Sequence, residues 1–108
     1  MTKHEANQME AAVLRQLGAR RCPCSGALAG WKGDGTKGRF LIDVKATRTG
    51  RHPVTVQELV KVNREAIQSG KEPALVLHFE KVALGCPHTW ALVPAEIFSR
   101  WADETDSA

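Results

Sequence analysis

No run of apolar residues in this chain is long enough to span a bilayer. The opening MTKHEANQME is polar and lacks the apolar core of a secretory signal. Together these absences lead to the expectation of a cytoplasmic protein without a membrane partner. Cysteine is scarce, three residues in all, and an odd number in a chain without a signal argues against a disulfide framework. Internal repeats and linkers are missing too. The 108 residues are therefore expected to form one domain over 1–102 with one modest core, followed by an acidic, flexible tail over 103–108.

What the chain does contain is an excess of basic side chains. Its formal charge is +3, with 15 Lys and Arg against 12 Asp and Glu. Three of those acids fall in Asp103-Glu104-Thr105-Asp106, which leaves 15 basic against 9 acidic side chains, or +6, in the body. A compact basic body points to polyanions such as nucleic acid, although many basic proteins bind none.

Periodicity divides the chain into elements. Ala6, Met9, Val13, Leu14 and Leu17 recur at helical spacing, which predicts a helix over 5–17 stopped by Gly18. Glu10 shares the face of residues 13, 14 and 17. Either it reaches water at the stripe's edge, or it points into a polar site, since a carboxylate among core residues is costly without compensation. A first strand is expected within 19–28 and turns over 29–38. Residues 39–46 should form the next strand, before the basic, breaker-rich loop Arg48–Pro53. Thr55 with Glu58 fits a capping box, and Val56, Leu59, Val60, Asn63 and Ile67 predict the inward stripe of a second helix closed by Gly70. Residues 74–79 and 89–93 read as strands, and Pro94 opens a short helix through Ile97, Phe98 and Trp101. The order is α, β, β, β, α, β, β, α. The crossover from 39–46 to 74–79 predicts a right-handed parallel pair.

The stretch GDGTKGRFLIDVKAT, residues 33–47, carries the chemistry. In the strand Phe40–Thr47, alternation puts Leu41, Asp43, Lys45 and Thr47 on one face and Phe40, Ile42, Val44 and Ala46 on the other. An acid and an amine two residues apart on an apolar strand, with Asp34 at a glycine-flanked turn, suit phosphodiester hydrolysis. That reaction needs a nucleophilic water and charge relief on the phosphate, and a hard cation such as Mg²⁺ serves both needs. Asp34, Asp43 and the Val44 carbonyl would clamp the ion, with Glu10 binding it through water or holding a second one. Lys45 would orient or deprotonate the attacking water, or stabilise developing charge. The bland alternative is a surface ion pair of Asp43 with Lys45, worth little.

Gly33-Asp34, Ile42-Asp43-Val44-Lys45 with Thr47, Glu10 ahead of Val13–Leu17, and Ser25-Gly26-Ala27 stand in an αβββαβ order. Over about residues 5–93 this pattern resembles the PD-(D/E)xK nuclease superfamily, and within it the small Holliday junction resolvases of archaeal and phage type. The resemblance implies an α/β, restriction-endonuclease-like core with a mixed central sheet flanked by helices. It also implies a Mg²⁺- or Mn²⁺-dependent endonuclease acting on branched DNA, as a homodimer, inside a prokaryotic or phage-infected cell. Carried over by position, the catalytic set is Glu10, Asp34, Asp43, Lys45 and Ser25. Lys32, Arg48, Arg51, Lys61 and Arg64 would grip phosphates without reading bases. Two other readings stay open: a nicking, repair or site-specific endonuclease with the same centre, and a non-catalytic DNA-binding module whose acids are structural. The dimer interface would come from the C-terminal segment around Ile97, Phe98 and Trp101, or from the first helix.

Cys22-Pro23-Cys24 and Cys86-Pro87-His88 offer the ligand count of a structural zinc site if their loops meet. The reading preferred here is three reduced, inert cysteines. Trp31 beside Lys32 either stacks on a base or caps the core, and His52 in the basic loop is a further candidate phosphate contact.

Overall fold

The chain begins with α1 (Lys3–Leu17), which is capped at both ends. The Thr2 hydroxyl accepts a hydrogen bond from the Glu5 N–H at 3.1 Å. Gly18 ends the helix in the left-handed conformation. The Lys37 ammonium donates to the Leu17 carbonyl, meeting the negative end of the helix. The computed structural model describes residues 2–22 and 33–107. Ser25, Lys32, Cys24, Trp31 and most of the expected first strand lie outside the described residues.

Five strands follow: β1 (Arg20–Arg21), β2 (Gly35–Lys37), β3 (Phe40–Thr47), β4 (Glu72–Phe79) and β5 (Thr89–Leu92). They form one sheet in the order β1-β2-β3-β4-β5. β3 and β4 run parallel through the crossover helix α2 (Val56–Gln68), whereas every other pairing is antiparallel. The protein is thus α/β with a mixed five-stranded sheet flanked by helices, and its element order is the one the sequence predicts.

The register explains where the core lies. Ile42 pairs with Ala74 and Val44 with Val76, so these four share one face of the sheet. Val13 and Leu14 of α1 pack on them. Leu41, one residue out of phase, packs on the opposite face with Ala66 of α2 and with Cys22. Gly35 lets β2 approach α1, because a Cβ there would lie 2.7 Å from Leu14 Cδ2 and 2.8 Å from the Arg20 carbonyl oxygen. Gly35→Ala is expected to cost about 1–3 kcal/mol through overpacking. Thermal unfolding would show this as a lower Tm, and an unchanged Tm would refute the close approach.

Two expectations are corrected. In α2 the buried side chains are Val62 and Ala66, while Val56, Val60 and Ile67 are exposed. The capping box is formed as expected, with Thr55 Oγ1 accepting from the Glu58 N–H at 3.1 Å. The stripe predicted to face inward nevertheless faces out, because the small Ala66 permits closer approach to Leu41 than a β-branched row would. Nor is the acidic C-terminal segment irregular: α3 runs from Ala95 to Ser107. Ile97 anchors it in the interior, and Trp101 meets Phe40 edge-to-face with ring centroids 5.6 Å apart. Glu72 at the start of β4 receives both Arg100, at 2.6 Å, and Arg39, at 3.2 Å.

Among the described residues no helix is long and apolar enough to cross a membrane.

Candidate active site

β2 and β3 form a hairpin whose register pairs Lys37 with Phe40 and Gly35 with Ile42, leaving only Gly38 and Arg39 to turn. The paired ladder ends there: Asp34, the next residue out, hydrogen-bonds the Ile42 carbonyl and brings its carboxylate to that of Asp43. Gly33, at φ 77°, adopts a backbone conformation suited to glycine, and a Cβ there would meet Leu41 Cγ at 2.9 Å. Asp34 is then pinned on both sides. Its N–H donates to the Ile42 carbonyl and its own carbonyl accepts from the Cys22 N–H, each at 2.9 Å.

The Asp34 carboxylate takes over where the ladder ends. Its Oδ2 accepts the Val44 N–H at 2.7 Å. Alternate residues of a strand turn their N–H and C=O groups to the same edge. Ile42 addresses β2 through its carbonyl, and Val44 addresses Asp34 through its N–H, so the Val44 carbonyl is directed to that same edge, past the last residue of β2.

Asp43 is the only buried charged side chain among the described residues, at 8 % exposure. Burial, then a hydrogen bond to Asp34 and the negative charge of that group, push its carboxyl up to about 7, while Lys45 and Lys61 pull the other way. Two carboxylates in hydrogen-bond contact cannot both ionise cheaply, so Asp43 keeps its proton well above the usual carboxylate range. Asp43 Oδ2 is buried without a hydrogen-bond partner. Lys45 Nζ lies 3.9 Å from it, an ion-pair distance too long for a hydrogen bond.

Glu10 reaches the pair from α1. Its carboxyl is raised by burial and by Asp34, and lowered by Lys45 and Arg21. Lys3, Asn7, Glu10, Leu14, Arg21 and Asp34 line a cleft of about 190 Å³. Of the residues expected in the site, Glu10, Asp34, Asp43 and Lys45 therefore converge. Asp43 and Lys45 connect to the cleft through Asp34 rather than lining it. Lys3, Asn7 and Arg21 are additions. Residues 3, 7, 10 and 14 follow one helical stripe, a signal that would have placed Lys3 and Asn7 beside Glu10.

The expected phosphate grips divide. Arg51, Lys61 and Arg64 are exposed. Arg48 instead bridges Glu5 of α1 and Glu80 just after β4, so its charge is already neutralised. His52 Nε2 sits 3.3 Å from Glu58 Oε1 and tethers the loop to α2. The zinc possibility is corrected by topology. Cys22 continues the β1 side of the sheet, whereas His88 stacks on His78 of β4 and its carbonyl receives the Phe79 N–H. Three strand spacings separate those positions, about 14 Å, so among the described residues Cys22 does not meet His88, and Cys24 lies outside them.

An orphaned carboxylate oxygen beside a second carboxylate, at a strand edge toward which a backbone carbonyl is directed, is an all-oxygen donor set fitting a hard divalent cation. Among the described residues no group of three or more His, Cys, Asp and Glu is arranged as a metal site, so the carbonyl and waters would have to complete the shell. No protein-family model matches the chain, and neither a curated protein nor a solved structure is found similar to it.

Proposed function

We propose that this protein is a metal-dependent endonuclease of the PD-(D/E)xK type, acting on branched DNA in the manner of a Holliday junction resolvase. The observation that carries the reading is buried Asp43, hydrogen-bonded to half-buried Asp34, with one carboxylate oxygen unsatisfied and the Lys45 ammonium 3.9 Å from it. Glu5 Oε2 and Glu72 Oε2 are open in the same sense but each faces an arginine, whereas Asp43 lies beside a second carboxylate. A site built to take up a cation leaves such an oxygen open.

In this reading Asp34, Asp43 and the Val44 carbonyl would hold Mg²⁺ or Mn²⁺, with the Glu10 carboxylate beside them as a further oxygen donor. The ion, when bound, supplies charge relief on the scissile phosphate and lowers the pKa of a coordinated water. The chain's own groups do the rest. Asp43, whose carboxyl is pushed up to about 7, would have to be deprotonated to serve as a ligand. The Lys45 amine lies beside the attacking oxygen, where it orients that oxygen and offsets negative charge developing on the phosphate. Arg21 and Lys3 extend positive charge along the cleft, while Arg51, Lys61 and Arg64 offer exposed contacts to phosphates and make binding salt-dependent.

The test is a labelled four-way junction with and without Mg²⁺. Paired, symmetric nicks that need the metal are expected, with linear duplex cut far less. Equal cutting of duplex and junction would move the assignment to a nicking or repair endonuclease. No cutting of any DNA in Mg²⁺ or Mn²⁺ would leave only a DNA-binding module.

A further inference from the structure

His78 and His88 stand ten positions apart in the sequence, and the β4–β5 pairing brings them together. His78 pairs with Thr89, which makes His88 the next residue toward the loop. Two hydrogen bonds tie His88 to Phe79. The Phe79 N–H donates to the His88 carbonyl at 2.9 Å, and the His88 ring donates through Nδ1 to the Phe79 carbonyl at 2.8 Å. The second bond settles the tautomer, because a carbonyl can only accept. The neutral ring therefore carries its proton on Nδ1 and its lone pair on Nε2. His78 is tied back in the same way, with Nδ1 2.8 Å from Thr89 Oγ1. A hydroxyl accepts as readily as it donates, so Thr89 supports the tautomer that puts the His78 lone pair on Nε2. The two rings lie near-parallel, 21° between planes, with centroids 5.9 Å apart. His78 is half-buried and His88 is exposed.

We propose that His78 and His88 form a two-imidazole site for a borderline-soft first-row cation of the Zn²⁺ and Cu²⁺ class, separate from the carboxylate centre. Imidazole nitrogen suits these ions, whereas Mg²⁺ takes oxygen. A ligating histidine donates its other ring N–H to a carbonyl or a similar group, which fixes the ring and raises its basicity. His88 already does so to Phe79. An ion about 2.1 Å from each nitrogen at a tetrahedral angle sets two imidazole centres about 5 Å apart. The exposed His88 ring closes that small difference by rotation about its side-chain bonds. Among the described residues no third His, Cys, Asp or Glu joins them as a metal group, so waters fill the other positions and the ion stays exchangeable. Glu80, whose negative charge acts on His78, is held by Arg48 and contributes field rather than a ligand. Exposed Cys86, whose Sγ donates to the Pro87 carbonyl, is the competing ligand nearest in sequence. A bound ion would clasp the end of β4 to the start of β5 across the connection that joins them.

The site is independent of the nuclease reading, and Zn²⁺ alone tests it on the full chain without DNA. In an NMR titration the imidazole signals of His78 and His88 should move together and saturate at one equivalent, while those of His4 and His52 stay in place. Calorimetry should show one binding event, which His78→Gln and His88→Gln each weaken by at least about tenfold. Cu²⁺ should bind more tightly than Zn²⁺, and excess Mg²⁺ should displace neither. Binding should persist in Asp43→Asn, which places it outside the carboxylate centre, and in Cys86→Ser. His88 is exposed, so circular dichroism of His88→Gln should match the wild type and keep the test open even where His78→Gln unfolds. Zn²⁺ that leaves both imidazole signals unmoved would overturn the proposal. Binding that survives His88→Gln, or that is lost in Cys86→Ser, would overturn it as well.

Discussion

Lys45→Ala should bind a four-way junction as tightly as the wild type and cut it at least about a thousandfold more slowly, the range expected when a positioned proton-transfer or charge-stabilising group is removed. The loss should fall on the chemical step. Lys45 is partly exposed and its ion pair with Asp43 is long at 3.9 Å, so its removal costs the fold little. Asp43→Asn should fail to the same degree for a different reason, since an amide cannot take up the cation in place of a carboxyl proton. The measurement is single-turnover cleavage beside a binding isotherm on the same DNA. Cleavage within a few-fold of wild type in Lys45→Ala would remove the amine from the mechanism, and parallel loss of binding would make it a phosphate contact.

The second large effect concerns stability. Below about pH 4 the Asp43 carboxyl is protonated in both the folded and the unfolded chain. As pH rises toward 7 the unfolded chain releases that proton while the fold retains it, because the folded group is pushed up to about 7. Stability therefore falls across this window and reaches its low plateau above it. Asp43→Asn keeps a hydrogen bond to Asp34 and never carries the buried charge. At pH 8 the variant should be more stable than the wild type by about 2–4 kcal/mol, a rise in Tm of roughly 10 °C or more, with little difference at pH 4. Saturating Mg²⁺ should raise the wild-type Tm at pH 8 and leave the variant unmoved, because the proposed site would hold the ion only in the folded wild type. A variant less stable than the wild type at pH 8 would show that the pair is a structural support and not a strained, ion-ready site.

Much of this arrangement was legible in the residues. Alternation along Phe40–Thr47 placed Asp43 and Lys45 on one face, and the register of β3 with β4 bears this out. Caps at Thr2, Gly18 and Thr55 were readable because capping is a local hydrogen-bond problem. The meeting of Asp34 with Asp43 was present in the sequence as well. A two-residue turn at Gly38-Arg39 makes partners of positions symmetric about it as far as Gly35 and Ile42, and Asp34 and Asp43 follow directly on that last pair. The inward face of α2 was not legible. Periodicity reports which side of a helix is apolar, while the sheet selects the side that fits, and here a small Ala66 fitted better than Val56, Val60 and Ile67. The neutralised state of Arg48 was equally hidden. Its acids, Glu5 and Glu80, lie 43 and 32 positions away along the chain, and tertiary structure alone brings them together.

The early end of β2 has a consequence for how such a site could be made or lost. Among the described residues β2 stops at Gly35 opposite Ile42, one residue short of Asp43, and the cleft lined by Glu10 and Asp34 lies at that end. A hairpin arm lengthened by a few extended residues would zip along the bared edge and seal it with ordinary backbone pairing. The fold would survive and the opening would close, so the proposed chemistry would depend on the shortness of β2 as much as on the acids themselves.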